Sequence, residues 1–155
     1  MVFDSLSQQG VQSLTPLEAS KRRGAVLLDV RLAEAANQLC VPAAVQVPLY
    51  QPIARFDAAS IIRRAAFAFF AIAGTERNPE FLAQVARRVP NKGAELLCLC
   101  ESGGSLETRA GVAKGFQSRS LKSVFLLRQA GYRNVKHVQG GTRAWQKAGL
   151  PMVEQ

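Results

Sequence analysis

Leu96-Leu97-Cys98-Leu99-Cys100-Glu101-Ser102-Gly103-Gly104 is the stretch whose reading decides the fold. Four apolar residues carry a buried-strand pattern into Cys100, and an acid, a serine and two glycines then break it. A thiol at the end of a buried strand is well placed for chemistry. Glycines beyond it let the backbone fold round the sulfur and aim N–H groups inward, as a thiolate or a bound anion requires. The competing reading is a buried cysteine that packs as a small hydrophobe before an ordinary turn.

Outward from that strand, apolar segments alternate with helix signals. Towards the N-terminus, Ala25-Val26-Leu27-Leu28-Asp29-Val30 reads as a second fully buried strand, the kind found inside a parallel sheet. Its end delivers Asp29 and Arg31 to the same edge. Asp29 can cap a helix beginning near Leu32, and Arg31 can pair with Glu34 or with Asp29. Upstream, Thr15-Pro16-Leu17-Glu18 carries a capping box with proline at the first helical position, and Gly24 stops that helix. Val45-Gln46-Val47-Pro48-Leu49 reads as a short strand. Ile53 to Ala73 is helix-compatible, with Ile61, Ile62, Ala65, Phe69 and Ile72 on one face and Phe67 and Phe70 partly off it. A helix capped by Asn78 is predicted to run to Val89.

Downstream, Glu101 to Gln117 is a Gly/Ser/Thr-rich linker, longer than connections inside compact domains usually are. Ser118-Arg119-Ser120-Leu121 opens a strong helix with Ser118 as its cap and Gly131 as its stop. Asn134 to Val138 is the last strand, and Gly140-Gly141 turns it into a helix holding Trp145. This order predicts an α/β fold, a single domain with a central parallel sheet and helices on both faces. Sites in such sheets lie beyond the strands' C-terminal ends, where Cys100, Asp29 and Arg31 fall.

Composition bounds the function. The chain of 155 residues carries a net charge of +9, and from Arg119 onward seven Lys and Arg face Glu154 alone. Such a field favours small anions or acidic proteins. Nucleic acid is disfavoured, because no basic cluster is interleaved with aromatics. Three cysteines, Cys40, Cys98 and Cys100, make no disulfide framework, which suits a reducing compartment. Cys98, Cys100 and His137 can be drawn as a zinc site, but the paired spacings that anchor structural zinc are absent, so no metal or cofactor is expected. Met1 to Gly10 lacks both an apolar core and a basic amphipathic pattern, so neither a signal nor a transit peptide is expected there. The apolar run Ala65 to Ala73 is too short to span a bilayer.

The order of motifs resembles the rhodanese-like domain: Asp29-Val30-Arg31 at a strand end, Leu96 to Cys100, Ser118-Arg119-Ser120, Gly131-Tyr132-Arg133-Asn134-Val135, and Gly140-Gly141-Thr142-Arg143-Ala144-Trp145. The resemblance covers 14–151, leaving an extension at 1–13, a tail at 152–155 and inserts over about 53–79 and 101–117. The Phe67–Pro79 block and the Ser-Gly-Gly linker further resemble plastid rhodanese-like proteins of plants and green algae. The resemblance implies sulfur transfer. Cys100 would form a persulfide with sulfur from thiosulfate or another sulfane donor and pass it to a thiol or cyanide. Glu101, Ser102, Gly103, Gly104, Ser118, Arg119 and Ser120 would bind the persulfide and substrate, with Asp29 and Arg31 in support.

Two departures stand out. Eighteen residues separate Cys100 from Arg119, where typical active members have a few, and the family's His-Ile-Pro-Gly-Ala turn appears as Cys40-Val41-Pro42-Ala43-Ala44. The alternative reading is therefore a catalytically inactive rhodanese-like module that binds an acidic protein or a photosynthetic (thylakoid) membrane complex. A Cdc25-like phosphatase needs an arginine about six positions after its cysteine, and residues 105 and 106 are Ser and Leu. The resemblance implies a chloroplast location, with the cytoplasm as the alternative.

Overall fold

The structure, a computed structural model, describes residues 10–53, 62, 74–103 and 118–155. Among these, β1 (Ser13–Leu14), β2 (Val26–Asp29), β3 (Val45–Gln46), β6 (Glu95–Leu99) and β7 (Asn134–Val138) form one sheet in the order β1-β7-β6-β2-β3. All four pairings are parallel, with Leu28 opposite Cys98 and Cys98 opposite His137. The strand that ends at the cysteine is thus the sheet's centre, and its unbroken apolar run follows from burial on both faces.

Side-chain alternation divides the core in two. Leu96, Cys98 and Cys100 face one side with Leu28, Val135, Phe81 and Val85 of α3 (Phe81–Arg88), and Leu121, Val124 and Leu127 of α4 (Arg119–Gln129). Leu97 and Leu99 face the other with Leu14, Val138, Ala19 of α1 (Pro16–Ser20) and Trp145 of α5 (Gly141–Lys147). Helices therefore cover both faces of a parallel sheet. Among the described residues, a further helix, α2 (Ala33–Gln38), follows β2.

The local signals act through identifiable bonds. Thr15 Oγ1 accepts the Glu18 N–H while the Glu18 carboxylate accepts the Thr15 N–H (2.8 Å), a complete capping box. Ser118 Oγ caps α4 by accepting the Leu121 N–H at 3.2 Å. Asp29 does not cap α2: its carboxylate is taken by Arg31, and the cap position is Leu32, without a side-chain bond. Asn78 is likewise not the cap of α3, which is Glu80. Its Oδ1 accepts the Glu80 N–H two residues on, at 3.0 Å, and its amide donates to the Pro48 carbonyl.

The predicted strand over Val45–Leu49 stops at Gln46, and Pro48 interrupts the chain before β4 (Tyr50–Pro52). β4 pairs antiparallel with β5 (Thr75–Arg77) in a two-stranded sheet of its own. The predicted helix from Ile53 to Ala73, with Phe67 and Phe70, lies outside the described residues except for Ile53 and Ile62.

Candidate active site

Cys100 is the first residue beyond β6, and α5 holds the backbone there. The Thr142 N–H donates to the Cys100 carbonyl (2.8 Å) and the Arg143 N–H to the Glu101 carbonyl (3.2 Å), which satisfies donors that the start of α5 leaves free. Such close approach excludes side chains. A Cβ on Gly141 would stand 2.1 Å from the Cys100 carbonyl oxygen, and one on Gly103 2.4 Å from the backbone nitrogens of Gly140 and Gly141. Gly103 also sits at φ +69°, in the left-handed region. The chain after the cysteine is thus folded back on the Gly140-Gly141 turn, backbone against backbone.

That fold aims groups at the sulfur. The Gly103 N–H donates to Cys100 Sγ at 3.2 Å, and Ser120 Oγ lies 3.3 Å from it. Ser120 belongs to the first turn of α4, so the sulfur lies at the positive end of an eleven-residue helix. Ser118 Oγ donates to the Gly103 carbonyl (2.9 Å) and stands 3.0 Å from Ser120 Oγ. The thiol is buried, at 2% exposure.

Two residues back on the same face, Cys98 is fully buried. Burial pushes its thiol far above the ordinary cysteine range, and the neighbouring Cys100 adds to the shift. It stays a neutral packing group. His137 is also fully buried, and burial lowers its pKa to about 4 against the opposing effect of its bond to the Gly103 carbonyl. Both of its nitrogens are engaged, Nδ1 with Ser13 Oγ (3.0 Å) and Nε2 with that carbonyl. Among the described residues no three Cys, His, Asp or Glu side chains converge as a metal site would need.

The other anticipated residues surround this centre unevenly. Glu101 and Ser102 are exposed, the Glu101 carboxylate pairing with Arg143 at 2.6 Å. Gly104 lies outside the described residues. The Arg119 guanidinium lies over the Tyr50 ring, 5.9 Å from its centroid, and Lys122 Nζ donates to the Tyr50 hydroxyl at 3.2 Å. Asp29 and Arg31 form a buried pair (2.7 Å) one strand away, and Arg31 reaches on to the Leu39 carbonyl at 2.6 Å. That pair ties the end of β2 to the end of α2, and the Arg31 hydrogen bonds go to Asp29 and the Leu39 carbonyl rather than to the sulfur.

The sheet and helices that carry this loop are shared with known proteins. The family model described as the rhodanese-like domain matches residues 13–148. The chain belongs to the rhodanese-like domain family. It is 38% identical over 151 residues to the chloroplastic rhodanese-like domain-containing protein 14 of Arabidopsis thaliana, covering 95% of this chain and 67% of that protein. It is 35% identical over 78 residues to the chloroplastic thiosulfate sulfurtransferase 16 of the same plant, covering 50% of this chain and 52% of that one. Among solved structures, the Rv0390 protein of M. tuberculosis superposes with a TM-score of 0.60 at 20% identity, over 94% of this chain and 98% of that chain.

Within this rhodanese-like domain, the sequence suggested His137 beside the cysteines only as a zinc ligand, and its bonds to Gly103 and Ser13 were overlooked, as was Tyr50 as the partner of Arg119. A signal for His137 was present. Asn134 to Val138 reads as a buried strand, and period-two alternation puts His137 on the inward face with Val135.

Proposed function

We propose that this rhodanese-like domain is a persulfide-forming sulfurtransferase in which Cys100 carries the sulfur. The observation that carries the reading is the environment of Sγ: the Gly103 N–H, the Ser120 hydroxyl and the N-terminus of α4 all address one atom. The Gly103 N–H and the helix N-terminus favour a negative sulfur over a neutral one, while the Ser120 oxygen accepts the thiol hydrogen. Cys98, held neutral beside it, does not compete.

The Cys100 thiolate attacks the outer sulfur of a sulfane donor such as thiosulfate. A new S–S bond forms, the donor's own S–S bond breaks, and sulfite leaves with the electron pair. The terminal sulfur of the persulfide then carries the charge that the Gly103 N–H is placed to hold. An acceptor thiolate or cyanide attacks that sulfur, the persulfide S–S bond breaks, and the Cys100 thiolate returns. Arg119 and Lys122, gathered at Tyr50, add positive charge by the first turns of α4, which favours an anionic donor. The relative named a thiosulfate sulfurtransferase supports this substrate class, and the chloroplastic names of both plant relatives support a chloroplast location.

A second reading, an inactive module that docks an acidic protein or a photosynthetic membrane complex, is favoured by the burial of Cys100 and by the eighteen residues before Arg119. Thiosulfate-to-cyanide transfer by the chain and its Cys100→Ser variant separates the two. The sulfurtransferase reading expects turnover that the variant loses by at least about a thousandfold, as removal of a nucleophile does. Equal rates, or none in either, leave the docking module.

A further inference from the structure

We infer that His137, with its ring held by Ser13, is a positioning residue that holds Gly103 in the orientation that aims its N–H at Cys100 Sγ. The inference rests on the reading of Cys100 as the reactive thiol, and its argument is geometric. Ser13, His137 and Cys98 stand in register across β1, β7 and β6, so the imidazole lies in the sheet row immediately before the cysteine loop. Nε2 meets the Gly103 carbonyl and Nδ1 meets Ser13 Oγ at 3.0 Å.

These contacts determine where the protons are. A carbonyl can only accept, so Nε2 carries the hydrogen and Nδ1 is bare, and the Ser13 hydroxyl donates to it. The ring is neutral, as its lowered pKa requires. A fully buried imidazole with both nitrogens satisfied has one tautomer and one orientation.

The carbonyl it holds belongs to the residue whose N–H touches the sulfur. Gly103 joins two peptide planes, one donating to Sγ and the other accepting from His137, Ser118 (2.9 Å) and Ser120 (3.3 Å). With φ at +69° glycine has wide conformational freedom, so the aim of its N–H depends on what grips its other side. Ser118 and Ser120 grip from α4, and His137 is the grip from the sheet. It connects β7, otherwise outside the chemistry, to the reactive atom.

The test uses the full chain and reads the iodoacetamide alkylation rate of Cys100 at neutral pH by peptide mass spectrometry, which requires no sulfur turnover. His137→Leu removes the donor at similar volume and should slow alkylation about tenfold, the size of one lost hydrogen bond to a charged group. His137→Gln, whose amide nitrogen reaches towards the Nε2 position, should recover most of the rate. Ser13→Ala frees the tautomer and should slow the rate severalfold, and it decides the matter if His137→Leu does not fold. Val138→Ala, one residue along β7 and facing the other core, reports generic loosening and should leave the rate unchanged.

Rates within twofold of the parent in folded His137→Leu or Ser13→Ala, or no recovery in His137→Gln, overturn the inference. So does a slowing as large in Val138→Ala, or a parent Cys100 that resists alkylation altogether. A shifted alkylation rate in a chain that takes no sulfur from thiosulfate would instead overturn the sulfurtransferase reading and leave the positioning role standing.

Discussion

At the residue scale, the buried imidazole of His137 writes a pH dependence into folding. Its ordinary pKa of 6.5 falls to about 4 in the fold, chiefly through burial. Between those values the unfolded chain binds a proton that the folded chain does not. Stability is therefore full above 6.5 and drains as the pH falls towards 4, by on the order of 3 kcal/mol in all. Urea midpoints at about pH 7 and about pH 5 should differ by more in the parent than in His137→Gln, which has no such group. Equal pH slopes in the two proteins would contradict the assignment.

Glycines make a second contrast at this scale. Gly24 (φ +80°) has nothing within 4 Å of where a Cβ would stand, so Gly24→Ala pays only for the left-handed backbone, about 1 kcal/mol. Gly141→Ala adds a collision with the Cys100 carbonyl and should lose roughly 2–5 kcal/mol, with a displaced cysteine loop. Denaturant unfolding of the two variants measures the difference, and equal losses would mean that the turn moves aside freely.

At the element scale, two helix starts of the same kind serve different ends. The cap of α1 is exposed and local: Thr15 and Glu18 satisfy one another. Thr15→Ala should cost about 0.5–1 kcal/mol in urea unfolding and leave Cys100 alkylation alone. Ser118 caps α4 and also grips the Gly103 carbonyl. Ser118→Ala should cost about 1–2 kcal/mol and slow Cys100 alkylation as well. A loss of stability without a change in the thiol's reactivity would confine Ser118 to capping.

Both caps were legible in the sequence because each side chain bonds a backbone N–H three residues on. The bonds of Asn78 were not, since its amide is engaged by Pro48 and Gln84, and its carboxamide oxygen turns the chain two residues before α3 begins. The β4–β5 hairpin escaped for a related reason. Tyr50 and Arg77 pair from 27 positions apart in sequence, and three-residue strands carry too few positions to show a period.

At the scale of the whole molecule, the sheet order places Cys100 at the centre of a layered α/β domain, at the end where β2 and β6 also deliver Asp29 and the glycine-bearing loop. That much could be read from β2, β6 and β7, because strands buried on both faces have no polar side to obscure them. The grip on Gly103 could not. It depends on β1 lying beside β7, so that Ser13 meets His137, and on a register in which Cys98 faces His137. Such pairings join residues 124 positions apart and follow from strand order, which no local pattern encodes.

The central claim is that Cys100 carries sulfur, and mass spectrometry of the chain after thiosulfate treatment tests it most directly. The account predicts that the peptide containing Cys100 gains the mass of one sulfur atom, that cyanide removes it, and that Cys100→Ser shows no gain anywhere. An unmodified Cys100, or sulfur found on Cys98 or Cys40 instead, would contradict it.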